Sequence, residues 1–135
     1  MRMHFQIDAH NGIAIFDQIA RQMKFAVARG VLREGEMVPS VRDLSKQLTV
    51  NPNTVARAYR DLQNEGVLES VRGTGLEITA AAKDICEDDR TTLIRQRLES
   101  VLREARQSGL SATAVRQLVS DLLKQLSEEQ QGEPS

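Results

Sequence analysis

The middle of this 135-residue chain, residues 40–78, constrains the fold more than any other part. A short helical pattern over residues 41–48 is followed by the turn Thr49–Asn53 and by a second helical pattern that runs to about Glu65. Two short strand patterns come next, joined by the glycine-rich tip Arg72-Gly73-Thr74-Gly75. Two helices separated by a tight turn and followed by a two-stranded hairpin are typical of a winged helix-turn-helix.

Residues that start and stop helices support these boundaries. Ser40 can cap the first helix, because its hydroxyl can accept an otherwise unpaired backbone N–H. Asn51 can cap the second, and Pro52 suits its first position, where the N–H that proline lacks is not needed. Gly66 is a suitable residue to end that helix.

Helical patterns also flank this segment. An amphipathic pattern over residues 13–31 precedes it, and two more follow, from residue 83 to residue 107 and from Ser111 onward. Near the N-terminus, Phe5–Ile7 alternates apolar and polar residues and predicts a short strand or an extended arm. Aromatic residues make up only 3% of the chain, so the core is aliphatic, which suits helices better than a β-sandwich.

The predicted fold class is mainly α with a small β-hairpin. We expect a winged helix-turn-helix domain over residues 1–80 and a two-helix dimerisation hairpin over residues 81–128. A polar tail is expected over residues 129–135.

Composition excludes several classes of protein. The single cysteine, Cys86, cannot form a disulfide framework or a cysteine-rich zinc site. There is no run of 18 apolar residues and no signal-peptide pattern at the N-terminus, so we expect a cytoplasmic protein without a membrane partner. His4 and His10 lack the spacing of a metal pair on one helix, and no metal or cofactor is expected. The acidic residues after Cys86 are expected to raise the pKa of its thiol.

Charge is unevenly distributed. The net charge is only −1, but residues 40–60 carry mostly basic charged side chains: Arg42, Lys46, Arg57 and Arg60 against Asp43. On a helical wheel, the second of the two central helices has an apolar face opposite a face of amides and guanidinium groups with no carboxylate at its centre: Asn53, Arg57, Arg60 and Asn64. Arginine and asparagine are side chains that pair with base edges, so this face indicates a DNA-recognition helix.

Three stretches carry a resemblance to a known family. They read ARGVLREGEMVPSVRDLSKQLTV, NPNTVARAYRDLQNEGVLES and VRGTGLEI, and the upstream FQID and IAIFDQIARQMKFAVARG extend the match. Together they resemble the DNA-binding domain of GntR-family bacterial transcription regulators. The resemblance implies that the upstream FQID is an N-terminal strand.

The resemblance also implies which residues contact DNA. Arg42 stands where the family's Arg contacts DNA, residues 51–54 open the recognition helix, and Gly73 matches the wing glycine that enters the minor groove. Pro52 and Ala56 depart from the pattern, since many members carry Arg at both positions. The full set of candidate DNA contacts is Ser40, Arg42, Asn51, Pro52, Asn53, Thr54, Arg57, Arg60, Arg72, Gly73 and Thr74.

The C-terminal part resembles the short YtrA-like branch of that family, whose C-terminal helices mainly dimerise. A helix from residue 83 to residue 107 is about 37 Å long, too long to cover its apolar stripe against a small winged domain. A second copy could cover it; the alternative is a hairpin folded back on the first helix of its own chain. The candidate dimerisation residues are Ile94, Leu98, Val101, Leu102, Val115, Leu118, Val119, Leu122, Leu123 and Leu126.

These patterns favour a homodimeric, sequence-specific regulator, expected to be a repressor that binds an inverted-repeat operator. The resemblance implies a transporter locus as its target. The alternative is a winged-helix module that binds protein and no DNA. An enzyme is not expected, because no nucleophile–base pair or metal cluster is visible. A small-molecule effector could bind only at the C-terminal helices or at their junction with the winged domain.

Overall fold

The computed structural model describes residues 3–132, and in this part of the chain it contains five helices and one two-stranded sheet. The predicted order of elements is confirmed. The elements are α1 (Ile15–Ala28), α2 (Val41–Leu48), α3 (Pro52–Asn64), β1 (Leu68–Val71), β2 (Gly75–Ile78), α4 (Ala82–Gln107) and α5 (Ala112–Gly132). The described residues form two compact units, one that ends at Thr92 and one that begins at Leu93.

The predicted caps of α2 and α3 are confirmed. The Ser40 hydroxyl accepts the backbone N–H of Asp43 at 3.0 Å. The Asn51 side-chain oxygen accepts the N–H of Asn53 at 2.8 Å, and Pro52 is the first residue of α3. Between the two helices, Thr49 adopts the left-handed conformation with φ of 55°, which turns the chain sharply from α2 into α3.

The core of the winged domain lies where α1, α2, α3 and the hairpin meet. Its side chains come from the apolar stripes that the sequence predicts, and α3 packs against both α1 and α2. The largest fully buried members are aliphatic or sulfur-containing: Ile19, Met23, Val27, Leu32, Leu44, Val55, Leu62, Val67, Ile78 and Cys86. This packing fixes the orientation of α3 and so decides which of its side chains face solvent.

Residues Phe5–Ile7 form no strand in the described part of the chain, so the strand that the resemblance implies is a wrong prediction. The Gln22 side chain takes the place of a partner strand. Its oxygen accepts the N–H of Gln6 at 2.8 Å, and its amide group donates to the Gln6 carbonyl at 2.7 Å. Gln18 brackets Asp8 in the same way, at 2.8 and 2.6 Å. The arm is therefore attached to α1 by side chains rather than by a sheet.

The hairpin is antiparallel, with Leu68 opposite Ile78 and Val71 opposite Gly75. The loop before α2 lies alongside the hairpin, where Met37 forms an isolated antiparallel β-bridge with Glu77. At its base, the Thr79 hydroxyl donates to the Gly66 carbonyl at 2.6 Å. The hairpin is thus attached both to the loop before α2 and to the end of α3.

The first residues of α4 pack into the winged domain. Ala82 and Cys86 are fully buried in its core. Lys24 of α1, whose side chain is only 8% exposed, lies 2.5 Å from the Glu65 carboxylate and 3.4 Å from that of Asp89. The first compact unit therefore reaches Thr92, whereas the sequence predicts a boundary at residue 80. The carboxylates raise the pKa of Lys24 despite its burial, so the ion pairs persist at neutral pH.

The second compact unit exposes apolar side chains. Most of the predicted dimerisation residues are exposed, while Val115 is half-buried. The exposed ones, with Leu110 in addition, are Ile94, Leu98, Val101, Leu102, Leu110, Leu118, Val119, Leu122, Leu123 and Leu126. In the described residues no helix is long and apolar enough to cross a membrane.

Helix α5 is longer than predicted. It continues to Gly132, through residues that the sequence assigns to the polar tail. An i,i+4 hydrogen bond from the Gln125 amide to the Glu129 carboxylate, at 3.3 Å, supports this last part of the helix. The rest of the predicted tail, residues 133–135, lies outside the described residues.

Candidate nucleic-acid interface

Helix α3 has one buried face and one exposed polar face, as the helical wheel predicts. The buried residues are Val55, Ala58, Tyr59 and Leu62. The exposed residues are Asn53, Arg57, Arg60 and Asn64. The nearest carboxylate on the helix, that of Asp61, is on a half-buried residue beside this face. The polar face therefore presents amide and guanidinium groups to solvent.

Tyr59 fastens α3 to the segment that leads into α2. Its hydroxyl donates to the Pro39 carbonyl at 2.7 Å, and its ring is buried. Burial raises the pKa of Tyr59, so the hydroxyl keeps the proton that it donates. This bond fixes Pro39, and with it the adjoining cap residue Ser40, relative to α3.

Arg57 is stacked on an aromatic ring. Its guanidinium carbon lies 3.7 Å from the centre of the Phe16 ring, in the first turn of α1. No ion pair or side-chain hydrogen bond of Arg57 is found among residues 3–132. The sequence does not predict this contact, because in the sequence Phe16 is indistinguishable from the other apolar residues of its helix.

The start of α2 and the turn also present polar groups. Ser40, Arg42, Asn51 and Pro52 are exposed, whereas Thr54 is half-buried. The Asn51 side-chain oxygen accepts the capping bond, which leaves the amide N–H groups of this exposed residue uncommitted by the cap. The Ser40 hydroxyl likewise accepts a capping bond and keeps its own proton to donate.

The tip of the hairpin carries a third set of exposed residues. Arg72, Gly73 and Thr74 are all exposed. Gly73 has φ of +75°, and the Thr74 N–H donates to the Val71 carbonyl at 3.0 Å to close the turn. Glycine suits this position because a side chain there would strain the left-handed backbone. The turn leaves Arg72 as the basic side chain at the tip.

These basic side chains carry uncompensated charge. In the part of the chain that the structure describes, the ion pairs do not involve Arg42, Arg57, Arg60 or Arg72. Such groups attract a polyanion and release its counterions on binding. The arrangement therefore has the side chains that a DNA interface needs: guanidinium groups for phosphates and guanines, and amides for adenines.

The histidines and the cysteine are the other candidates for a chemical site. Within residues 3–132 no three histidine, cysteine or acidic side chains come together as a metal site. His4 and His10 are exposed. Burial raises the pKa of the Cys86 thiol to about 11, which makes it a poor nucleophile at neutral pH. The raised pKa agrees with the sequence prediction, but burial and not the neighbouring acids is its main cause.

Comparison with known proteins shows which family shares this sequence and fold. The sequence profile described as "Bacterial regulatory proteins, gntR family" matches residues 16–78. The HTH-type transcriptional repressor YtrA of Bacillus subtilis is 32% identical over 117 residues, which cover 87% of this chain and 90% of that protein. The match therefore extends beyond the winged domain into the C-terminal helices.

Solved structures share the fold. A transcriptional antiterminator from Listeria monocytogenes aligns with a TM-score of 0.67 and 27% identity, over 90% of this chain and 91% of the other. A GntR family transcriptional regulator from Listeria monocytogenes aligns with a TM-score of 0.64 and 27% identity, over 85% of this chain and 98% of the other. Both alignments include helices on either side of the hairpin.

Proposed function

The chain belongs to the gntR family of bacterial regulatory proteins and is a DNA-binding transcriptional regulator, and we propose that it acts as a homodimeric repressor. The proposal has each α3 in a major groove and each hairpin tip in an adjacent minor groove. Because its partner is chromosomal DNA, we also propose a cytoplasmic location.

The observation that carries the proposal is the exposed face of α3. Arg57 and Arg60 extend from it without a carboxylate partner in the described residues, and Asn53 opens the helix beside them. The opposite face is buried against α1 and α2, so α3 is held rigidly with this face outward. A rigid helix with such a face suits readout in the major groove.

The remaining candidate contacts complete the proposed footprint. Ser40 and Arg42 would bind phosphates beside the groove, as groups at a helix N-terminus commonly do. Arg72, with the tight turn at Gly73, would reach into the minor groove. Thr54 is half-buried, which supports a packing role between helices alongside any contact with DNA.

The exposed apolar residues of α4 and α5 support dimerisation. Large apolar residues such as Leu98, Leu122 and Leu123 are about half exposed or more in the single chain, at 49%, 54% and 64%. Monomeric proteins rarely expose so continuous an apolar stripe, whereas a second copy would bury it. Two-fold symmetry would then give an inverted-repeat operator with half-sites about one helical turn, roughly 10 bp, apart.

Repression and a transporter target are further parts of the proposal. The Bacillus subtilis relative is named a transcriptional repressor, which supports repression here. The YtrA-like resemblance supports a transporter locus. An effector is proposed only for the second unit, where an open cavity of about 450 Å³ is lined by Leu102, Leu110 and Val115 together with Arg106 and Arg116.

The proposal is tested by measuring the affinity of the protein for labelled DNA from upstream of its own gene. The titration is run at two salt concentrations. We expect competitor-resistant binding that weakens steeply as salt rises, because phosphate contacts release counterions. Arg57→Ala should weaken specific binding by about 1–3 kcal/mol if Arg57 contacts a base.

Arg103→Ala is the matched control for this titration. It removes the same charge from an exposed position of α4, where Arg103 pairs with Glu99 at 2.6 Å, and should leave the affinity unchanged. Equal, weak binding of the wild type to any duplex would contradict specific recognition. An Arg57→Ala affinity equal to that of Arg103→Ala would remove Arg57 from the interface.

A further inference from the structure

We propose that Phe16 is a positioning residue for DNA recognition, which holds the Arg57 guanidinium in the orientation that reads the operator. The proposal rests on the DNA-binding role of α3 given above. Phe16 itself lies on α1, outside the recognition helix, and is half-buried. Its ring is covered on one side by Arg57, whose guanidinium carbon lies 3.7 Å from the ring centre.

The position of the guanidinium over the ring defines a cation–π pair. At 3.7 Å from the centre, the cation lies over the face of the ring, where the negative part of the aromatic quadrupole attracts it. Arginine is especially suited to this geometry because its guanidinium is planar and weakly hydrated. Arg57 is thus restrained at the outer surface of α3, where a free arginine would sample many rotamers.

The ring restrains Arg57 without using its hydrogen-bond donors. A carboxylate would also hold the cation, but it would occupy the N–H groups that a guanine or a phosphate needs. The acidic neighbour of Phe16, Asp17, is already paired with Arg21 at 3.1 Å. Asp61, one turn after Arg57 on α3, forms no ion pair with it in the described residues. The donors of Arg57 therefore stay available for DNA.

Restraint before binding raises affinity, because a side chain that is already ordered loses less entropy in the complex. The gain depends on Arg57 and disappears when Arg57 is removed. This dependence separates positioning from a general contribution of Phe16 to the packing of α1, which would persist in the absence of Arg57.

A double-mutant cycle on operator affinity tests the proposal. The variants are Phe16→Leu, Arg57→Ala and the double variant, with Phe16→Tyr as the conservative replacement that keeps the aromatic face. We expect Phe16→Leu to weaken operator binding by about 2- to 10-fold, the cost of immobilising one flexible side chain on binding. Phe16→Tyr should bind like the wild type, and Phe16→Leu should cause no further loss in the Arg57→Ala background.

A measurement on the free protein completes the test. The side-chain Nε–H resonance of Arg57 should be restrained and shifted by the ring in the wild type, and should resemble that of exposed Arg60 in Phe16→Leu. Thermal unfolding of each variant shows whether the fold is intact.

Each outcome decides between the two proposals. An equal loss from Phe16→Leu in both backgrounds, or no loss, would overturn the positioning role while leaving the DNA-binding function in place. An Arg57 resonance as mobile as that of Arg60 in the wild type would also overturn it. A wild type that binds no operator, with Arg57 restrained by the ring, would overturn the proposed function and, with it, this role.

Discussion

Arg57, Tyr59 and Leu62 are close neighbours on α3, and the turn of the helix directs each into a different environment. Leu62 is buried in the core, Tyr59 is buried but keeps a hydrogen bond to Pro39, and Arg57 lies over Phe16 at the surface. Leu62 stabilises the domain, Tyr59 holds α3 to the segment before α2, and Arg57 keeps its N–H groups available for the proposed contact with DNA. The proposed DNA contacts therefore depend on the rotation of α3 about its own axis, which its buried face fixes.

The buried thiol of Cys86 should make the free energy of unfolding fall as the pH rises into the alkaline range. Its thiol is buried and keeps its proton until about pH 11 in the folded chain, whereas in the unfolded chain it ionises near its ordinary pKa of 9.0. The unfolded state therefore releases a proton first, and stability present below pH 9 is lost as the pH rises toward 11. We expect a loss of about 1 kcal/mol between pH 9 and pH 10 that is absent in Cys86→Ala.

Urea unfolding of both proteins at pH 8, 9 and 10, under reducing conditions, checks this. For each protein, the free energy of unfolding is plotted against pH. The difference between the two slopes gives the contribution of the thiol alone, because other groups that titrate in alkali, such as Tyr59, are present in both proteins. Identical pH dependence of the free energy of unfolding in the wild type and in Cys86→Ala would contradict a buried, protonated thiol.

The boundaries of helices α2 and α3 are predictable from residues that lie at the helix ends. The caps Ser40 and Asn51 and the proline after Asn51 act on their own helices, so the sequence identifies them directly. The Lys24–Asp89 and Phe16–Arg57 pairs could not be predicted in this way, because each joins residues far apart in the chain through the packing of α1. The sequence predicts too early an end for α5, because its last residues are polar and polar residues can also continue a helix.

The turn between α2 and α3 contains a strained residue. Thr49 has φ of 55°, which a β-branched side chain tolerates poorly, whereas asparagine adopts this conformation more readily. We expect Thr49→Asn to increase the free energy of unfolding by about 0.5–1 kcal/mol without loss of DNA binding. Chemical denaturation measures the change.

Thr49→Val is the matched control. It keeps the β-branched shape and the strain, so it should show no stabilisation. A Thr49→Asn protein no more stable than the wild type would show that the left-handed turn costs nothing here.

For the whole molecule, the exposed apolar stripe of α4 and α5 predicts a monomer–dimer equilibrium. Replacing Leu98 with Gln removes an apolar contact worth about 1.5 kcal/mol from each copy, or about 3 kcal/mol per dimer. We therefore expect Leu98→Gln to raise the dimer dissociation constant by about 100-fold and to weaken operator binding. Sedimentation equilibrium measures the first effect.

Gln96→Ala serves as the control, because Gln96 lies on the side of α4 away from the apolar stripe. It should leave the dimer unchanged. A wild type that sediments as a monomer at micromolar concentration would contradict dimerisation through this stripe, as would a Leu98→Gln dimer of unchanged strength.

Selection of binding sites from a pool of random DNA duplexes tests sequence-specific recognition by a symmetric homodimer, since the protein itself then chooses the operator sequence. Recognition by two symmetric α3 helices predicts enrichment of an inverted repeat with half-site centres about 10 bp apart. The Arg57→Ala protein should enrich a less specific sequence at the positions that Arg57 reads. Enrichment of a single, unrepeated site, or of no sequence at all, would contradict a homodimer that reads DNA through the exposed face of α3.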